Sequence, residues 1–193
     1  MRPIMVEFAG TPEAGKTTVI KRLQKKLEEQ GLKVAVIQES AELAPPELPK
    51  GSWDANLWMR HITCSKILNS IYLSTQIVLI DRCAIDHQFW GLNFFKGNKC
   101  SIDEFISYMS LITPKLYPDY LIALVSNPEV SLIRRGGPGR IVNSEFLKNY
   151  NDLFYSFYKT ITVPKTLIET SNLSVDDVTS QVSKIINSLL KAR

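Results

Sequence analysis

Gly10, Gly15, Lys16 and Thr17 stand in "FAGTPEAGKTT" at the spacing Gly-x-x-x-x-Gly-Lys-Thr. These residue types at this spacing suit the capture of a chain of phosphates. Glycines let the main chain turn sharply and approach an anion closely. Successive backbone N–H groups in such a turn, with the N-terminal end of the helix that follows, make a pocket for anionic oxygens. Glu13, Ala14 and Thr18 belong to the same loop. Lys16 is placed to reach the terminal phosphates as a compact cation, and the Thr17 hydroxyl to ligate Mg²⁺. The plain alternative is a chance match in a glycine turn; an apolar run before the motif and an amphipathic stretch after it argue against that.

Carboxylates and arginines supply the remaining chemistry. Glu39 closes one apolar run, and Asp81-Arg82 close another, "IVLIDR". In an open α/β sheet, ligands gather beyond the carboxyl ends of the strands, so all three are expected to face the loop. Asp81 could join Thr17 at magnesium, and Arg82 could clamp a transferring phosphoryl group. An isolated carboxylate at a strand end is otherwise a helix cap or a surface charge. Arg134, Arg135 and Arg140 surround the glycines of "RRGGPGR". Arginines beside a glycine hinge suit a lid, over about 134–145, that closes on a triphosphate and excludes water. Cations at a solvated helix end are the competing reading.

These groups need elements to hold them. "PIMVEFA" reads as a buried strand entering the loop, and Val19, Ile20, Leu23 and Leu27 recur at helical spacing up to Gly31. "LKVAVIQES" reads as the second strand, which completes the strand–loop–helix–strand setting of a phosphate loop. A proline-rich connection over 41–53 follows, then a helix over about 54–73 and a strand over 76–82. Residues 86–97 are ambiguous, and 102–113 read as helix. Strands over 118–126 and 165–170 alternate with helices at "NPEVSLIRR", about 144–160 and 174–192. The expectation is one α/β domain over 1–193, built on a mainly parallel sheet.

Composition narrows the function class. The chain has 193 residues, 45% hydrophobic and 22% charged, with a net charge of +4. That charge suits an anionic ligand and is too weak to argue for a nucleic acid polymer. Cys64, Cys83 and Cys100 are widely spaced, with no Cys-x-x-Cys pair, which fits a reducing, cytoplasmic setting rather than a disulfide framework. No apolar run is long enough for a membrane span, and Glu7 interrupts the apolar start, so a signal peptide is not expected. The Asn-Lys-x-Asp tetrapeptide that reads guanine is absent, which makes ATP the expected triphosphate.

Across nearly its whole length the chain resembles the thymidylate kinase family and its deoxynucleoside kinase relatives. The resemblance rests on "EFAGTPEAGKTTVIKRLQKKLEEQGLKVAVIQES", "VLIDRCAIDHQFW", "LWMRHITCSKIL", "YPDYLIALVSNPEVSLIRR" and "GRIVNSEFLKNY". It implies a three-layer phosphate-loop NTPase fold, with a five-stranded parallel sheet in the order 2-3-1-4-5 flanked by helices, and a helix-packed homodimer. It also implies an ATP- and Mg²⁺-dependent kinase, with Arg60 at the position of an acceptor-contacting arginine. Pro12-Glu13, Ala9 and the missing acid in "RIVNSE" depart from the family on the acceptor and lid sides.

For the acceptor, a nucleoside hydroxyl and a monophosphate both stay open. A hydroxyl benefits from a carboxylate base, for which Glu39 is the candidate, while a phosphate needs arginines such as Arg60 and Arg82. Trp58, with Trp53, Phe89, Trp90, Phe94 and Phe95, lies on segments that could wall the acceptor pocket, although aromatics on helices are more often core. His61 and His87 have no metal-ligand spacing, and Lys21, Arg22, Lys25 and Lys26 read as a solvated helix face. Two further readings remain: a nucleotide-driven switch that binds a partner, and a kinase acting on a non-nucleotide hydroxyl.

Overall fold

Parallel strands covered on both faces read as continuous apolar runs, and "IMVEFAG" is such a run. It forms β1 (Ile4–Gly10), every residue of which is buried. The structure, a computed structural model, describes residues 2–49, 51–72, 74–111, 113–139 and 142–192, with Glu42 by its main chain only. Four more strands join β1: β2 (Val34–Ile37), β3 (Ile77–Asp81), β4 (Tyr120–Val125) and β5 (Lys165–Glu169). Their order is β2-β3-β1-β4-β5 and every pairing is parallel. This is the order that the resemblance implies.

Helices cover both faces. On one side α1 (Lys16–Glu29) and α7 (Val175–Lys191) bury Val19, Leu23, Leu27, Val178 and Val182 against Val6, Phe8, Leu79 and Leu124. On the other, α2 (Trp53–Tyr72), α3 (Ala84–Lys96) and α6 (Ser144–Thr160) pack Ile67, Phe89 and Phe154 against the opposite side chains of the same strands. The alternation along each strand sends successive residues to opposite layers. Two shorter helices, α4 (Ile102–Ser110) and α5 (Pro128–Arg135), lie outside these layers' main seams. Among the described residues no helix is long and apolar enough to cross a membrane. The three cysteines are unpaired.

Three segments differ from the sequence expectation. The second strand stops at Ile37, and Ser40–Leu43 forms a 3₁₀ turn. The helix expected to reach residue 113 ends at Ser110, three residues before the 3₁₀ turn Pro114–Leu116. Proline has no N–H to donate and disfavours helical backbone in the residue before it. The ambiguous 86–97 stretch is helix α3, which starts at Ala84. Its N-terminal amides are satisfied by a distant carboxylate, Glu7 of β1, and no local pattern reveals such a cap.

Candidate active site

The turn from β1 into α1 is held from behind by three side-chain hydrogen bonds, two to α6 and one to the residue after β5. Tyr150 of α6 donates its hydroxyl proton to the Gly10 carbonyl (3.0 Å), Thr11 Oγ1 donates to Asn151 Oδ1 (2.6 Å), and Thr170, just past β5, donates to the Ala14 carbonyl (3.2 Å). Gly10 lies at φ 117, and a Cβ there would sit 2.1 Å from the Leu124 carbonyl oxygen of β4. Only glycine allows that approach. Gly15 precedes α1 in the left-handed region, at φ 91. The loop's shape is therefore set by protein contacts alone.

Lys16 is buried, and its Nζ donates to the carbonyls of Thr11 (2.8 Å) and Gly10 (3.2 Å). Burial, with the Arg82 charge adding, lowers its pKa to about 8. Beside it Thr17 Oγ1 donates to Asp81 Oδ2 (2.5 Å), while Asp81 Oδ1 is buried with no hydrogen-bond partner. A hydroxyl and a carboxylate with an unused lone pair are hard oxygen donors, which suits Mg²⁺. These two residues could hold that ion at the mouth of the loop.

Arg82 follows Asp81 with left-handed backbone at φ 62, an uncommon conformation for a residue other than glycine. The twist turns its guanidinium back under the cleft. There Nη1 donates to Asp86 Oδ1 (2.8 Å), and Nε lies 3.2 Å from Glu39 Oε1, an ion pair without hydrogen-bond alignment. Glu39, Arg82 and Asp86 thus form a charged triad next to Lys16. Desolvation raises the Asp86 pKa, which the Arg82 charge opposes. The Arg82 guanidinium is held charged by the two carboxylates despite its burial.

A cleft of about 760 Å³ joins these groups. The phosphate loop lines it through Glu13, Gly15, Lys16, Thr17 and Thr18, and the triad lines it through Glu39, Arg82 and Asp86. α2 and α3 add Asn56, Met59, His87, Trp90, Asn93 and Phe94. His87 is buried, and desolvation followed by the Arg60 and Arg82 charges lowers its pKa to about 3, so its imidazole is neutral.

Of the residues singled out in the sequence, Glu13, Gly15, Lys16, Thr17, Thr18, Glu39 and Arg82 line this one cleft. Gly10 and Ala14 support the loop from within the fold, and Asp81 reaches it through Thr17. Trp58 and Arg60 sit on α2 but are not among the cleft's lining residues, where Trp90 and Phe94 stand instead. Arg60 is buried behind the cleft, its guanidinium 3.8 Å from the centre of the Tyr108 ring. Arg134 donates to Thr170 Oγ1 (3.1 Å) and to the Thr170 carbonyl (2.7 Å) rather than into the cleft. Arg135 reaches across to Glu13 of the phosphate loop (3.7 Å). Arg140 lies outside the described residues. His61 is exposed on α2, as are Lys21, Arg22, Lys25 and Lys26 on α1.

Sequence reasoning missed Glu7, Asp86 and Asn56. Glu7 did carry a signal, as a carboxylate inside an otherwise apolar strand. Asp86 and Asn56 carry none, because polar residues on helices are mostly solvated.

The arrangement has known counterparts. The profile of the family described as "Chromatin associated protein KTI12" matches residues 3–82, from β1 to the residue after β3. A thymidylate kinase of Caldicellulosiruptor saccharolyticus is 23% identical over 209 residues, covering all of both chains. A deoxyadenosine kinase from M. mycoides, solved with dCMP and a flexible dCDP bound, superposes with a TM-score of 0.73 at 18% identity, over 96% of this chain and 100% of that one. The chain therefore shares the fold of that kinase, a five-stranded parallel sheet behind a phosphate loop. Of the departures noted in the sequence, Pro12 and Glu13 line the cleft from the phosphate loop, whereas Ala9 is buried in β1.

Proposed function

We propose that the protein is an ATP-dependent kinase that transfers the γ-phosphoryl group to the hydroxyl of a nucleoside. The observation that carries this reading is the Glu39–Arg82–Asp86 triad, set in one cleft with Lys16 and Thr17. The loop amides and Lys16 hold the triphosphate, with the Lys16 ammonium leaving its two carbonyl partners for phosphate oxygens. Thr17 and Asp81 would hold Mg²⁺, which would supply charge neutralisation to the phosphates. Glu39 accepts the acceptor hydroxyl's proton as the new O–P bond forms and the β–γ bond breaks, and ADP leaves. Arg82 positions Glu39 and stabilises charge on the phosphoryl group. The segment 134–145 acts as a lid on a single domain, with the Arg135–Glu13 pair as its contact with the loop.

Charge accounting favours a nucleoside over a monophosphate. Arg82 already faces two carboxylates, and Arg60 is buried outside the cleft. A second phosphate would meet Glu39 and Asp86, with Lys99 the one cation, among the described residues, that lines the cleft beyond Lys16 and Arg82. Deoxyadenosine kinase, which shares the fold, takes a nucleoside by its name.

The test is a panel of nucleosides, nucleoside monophosphates and simple alcohols with γ-labelled ATP and Mg²⁺. Labelled nucleoside monophosphate is the expected product. Label transferred only to monophosphates overturns the acceptor, and slow hydrolysis with no acceptor overturns the kinase reading. The match of β1 to β3 with a chromatin-associated family supports a second reading, a nucleotide-driven partner-binding protein, to which that last outcome would point.

A further inference from the structure

Behind the cleft, three polar groups form a chain whose direction is forced. The Tyr108 hydroxyl donates its single proton to the main-chain carbonyl of His87 (3.0 Å), which can only accept. The same oxygen lies 3.0 Å from Asn56 Nδ2 and must therefore accept from it. Both bonds are made with the Asn56 amide nitrogen turned to Tyr108, whereas the opposite orientation would leave Oδ1 and the His87 carbonyl competing for the single tyrosine proton. Its Oδ1 has no hydrogen-bond partner among the described residues and is not among the buried, unpartnered atoms, and the side chain lines the cleft.

Tyr108 is itself locked. Its ring rests against Gly91 of α3, where a Cβ would fall 2.6 Å from Tyr108 Cε1, and both the Arg60 guanidinium and the Trp53 ring pack on it. The tyrosine proton stays on, because burial lifts its pKa to about 12. A fully buried tyrosine in one tautomeric role makes a rigid support.

Asn56 is 2% exposed, as enclosed as Asp86 among the cleft residues of α2 and α3. Met59, Trp90 and Phe94 flank it with apolar and aromatic surface, and His87 is neutral. That combination suits an uncharged, flat ring. When such a ring enters with its sugar toward Glu39, the part that projects furthest from the sugar is the exocyclic substituent of the base, and Asn56 Oδ1 is what it meets. An amino group donates to that oxygen, whereas a carbonyl there faces another acceptor.

Resting on the kinase reading above, we propose that Asn56, oriented by Tyr108, is the specificity-determining residue of the acceptor site and selects nucleosides whose base carries an exocyclic amino group. The ligand class is cytosine and adenine nucleosides over their keto counterparts, uracil and hypoxanthine. Tyr108 is a positioning residue, acting only through Asn56.

The experiment compares kcat/KM for cytidine against uridine and adenosine against inosine, each with its deoxy form, in the intact protein. At least tenfold preference for the amino member of each pair is expected, because a carbonyl at that place leaves two enclosed acceptors facing each other with no proton between them. Tyr108→Phe keeps the ring against Gly91 and frees the Asn56 amide to turn over. It should cut the preference at least threefold while transfer to the amino substrates persists, a result that general loosening of the cleft would not give. Asn56→Ala, which should erase the preference, serves if the tyrosine variant does not fold. Transfer to nucleosides with equal kcat/KM for both members overturns this proposal and leaves the kinase reading intact. An amino preference that Tyr108→Phe and Asn56→Ala leave unchanged removes Asn56 from the selection. No transfer to any nucleoside overturns both.

Discussion

Glu7 Oε1 accepts the backbone N–H of Asp86 at 2.9 Å, joining the middle of the central strand to the first turn of α3. The same carboxylate accepts the amides of Cys83 (2.9 Å) and Ile85 (3.1 Å). A helix start leaves several amides without partners, and a strand side chain seventy-six positions away in sequence satisfies three of them here. The consequence is positional: Arg82 and Asp86 flank the capped turn, so Glu7 holds the charged triad in place without touching the cleft.

Glu7 should make stability pH-dependent. Burial raises its pKa from 4.5 to about 7, against the pull of the three amides. The folded state therefore binds this proton more tightly than the unfolded state, so the contribution is complete below about 4.5 and declines as pH rises through 7. A shift of that size corresponds to about 3 kcal/mol. Thermal melts of wild type should lose stability from pH 5 to pH 8, and Glu7→Gln should lack that component. Parallel pH profiles for the two proteins would contradict it.

Removing the Arg82 guanidinium should be costly, because Asp86 would remain buried and charged without its partner. Arg82→Ala should destabilise by about 3–5 kcal/mol in chemical denaturation. Adding Asp86→Asn should restore most of the stability and none of the phosphoryl transfer. Recovery of both would make the triad a structural device only.

Lys16 ties nucleotide affinity to pH. Its pKa is lowered to about 8, so the cation is progressively lost in the free protein above that value. Calorimetric titration with ATP should weaken between pH 7 and pH 9.5, and Lys16→Met should bind poorly with no such slope. Its transfer rate should fall by about 10²–10³-fold or more, the scale for loss of one charge-stabilising group.

Glu39→Gln should lower kcat by about 10²–10⁴-fold with little change in the KM for ATP, as loss of a general base does. An equal fall in the wild-type and variant rates on a more acidic acceptor alcohol would instead assign Glu39 to binding.

Gly10→Ala should fail at the level of folding. The added methyl would lie 2.1 Å from a main-chain oxygen, which no rotamer relieves. A loss of about 4 kcal/mol or more is expected, visible as insoluble expression or a collapsed melting temperature.

The sheet and the phosphate loop were legible in the sequence because both rest on local pattern. Apolar runs end in turn residues, and Gly10 to Thr17 repeats a known spacing. Glu39 and Arg82 were legible from topology, since strand ends in a parallel sheet converge. What escaped was set by tertiary contact. Helix α3 depends on a cap from β1, Asn56 gains its meaning from Tyr108 on α4, and Arg60 is turned away from the cleft by stacking on that same ring. Arg134, read from its glycine neighbours as a lid arginine, donates to Thr170 past β5, a contact its spacing does not reveal. None of these pairings leaves a trace in spacing.

The closeness of residue 10 to Leu124 also bears on how such a chain can diversify. A hydrogen is the largest substituent that position admits, so descent with modification is blocked at one rim of the sheet. Residues of α2 and α3 that line the cleft, such as Met59 and Asn93, border its open volume and meet no such main-chain barrier. New acceptors in this lineage would accordingly arise by repainting those walls around an unaltered anion cradle.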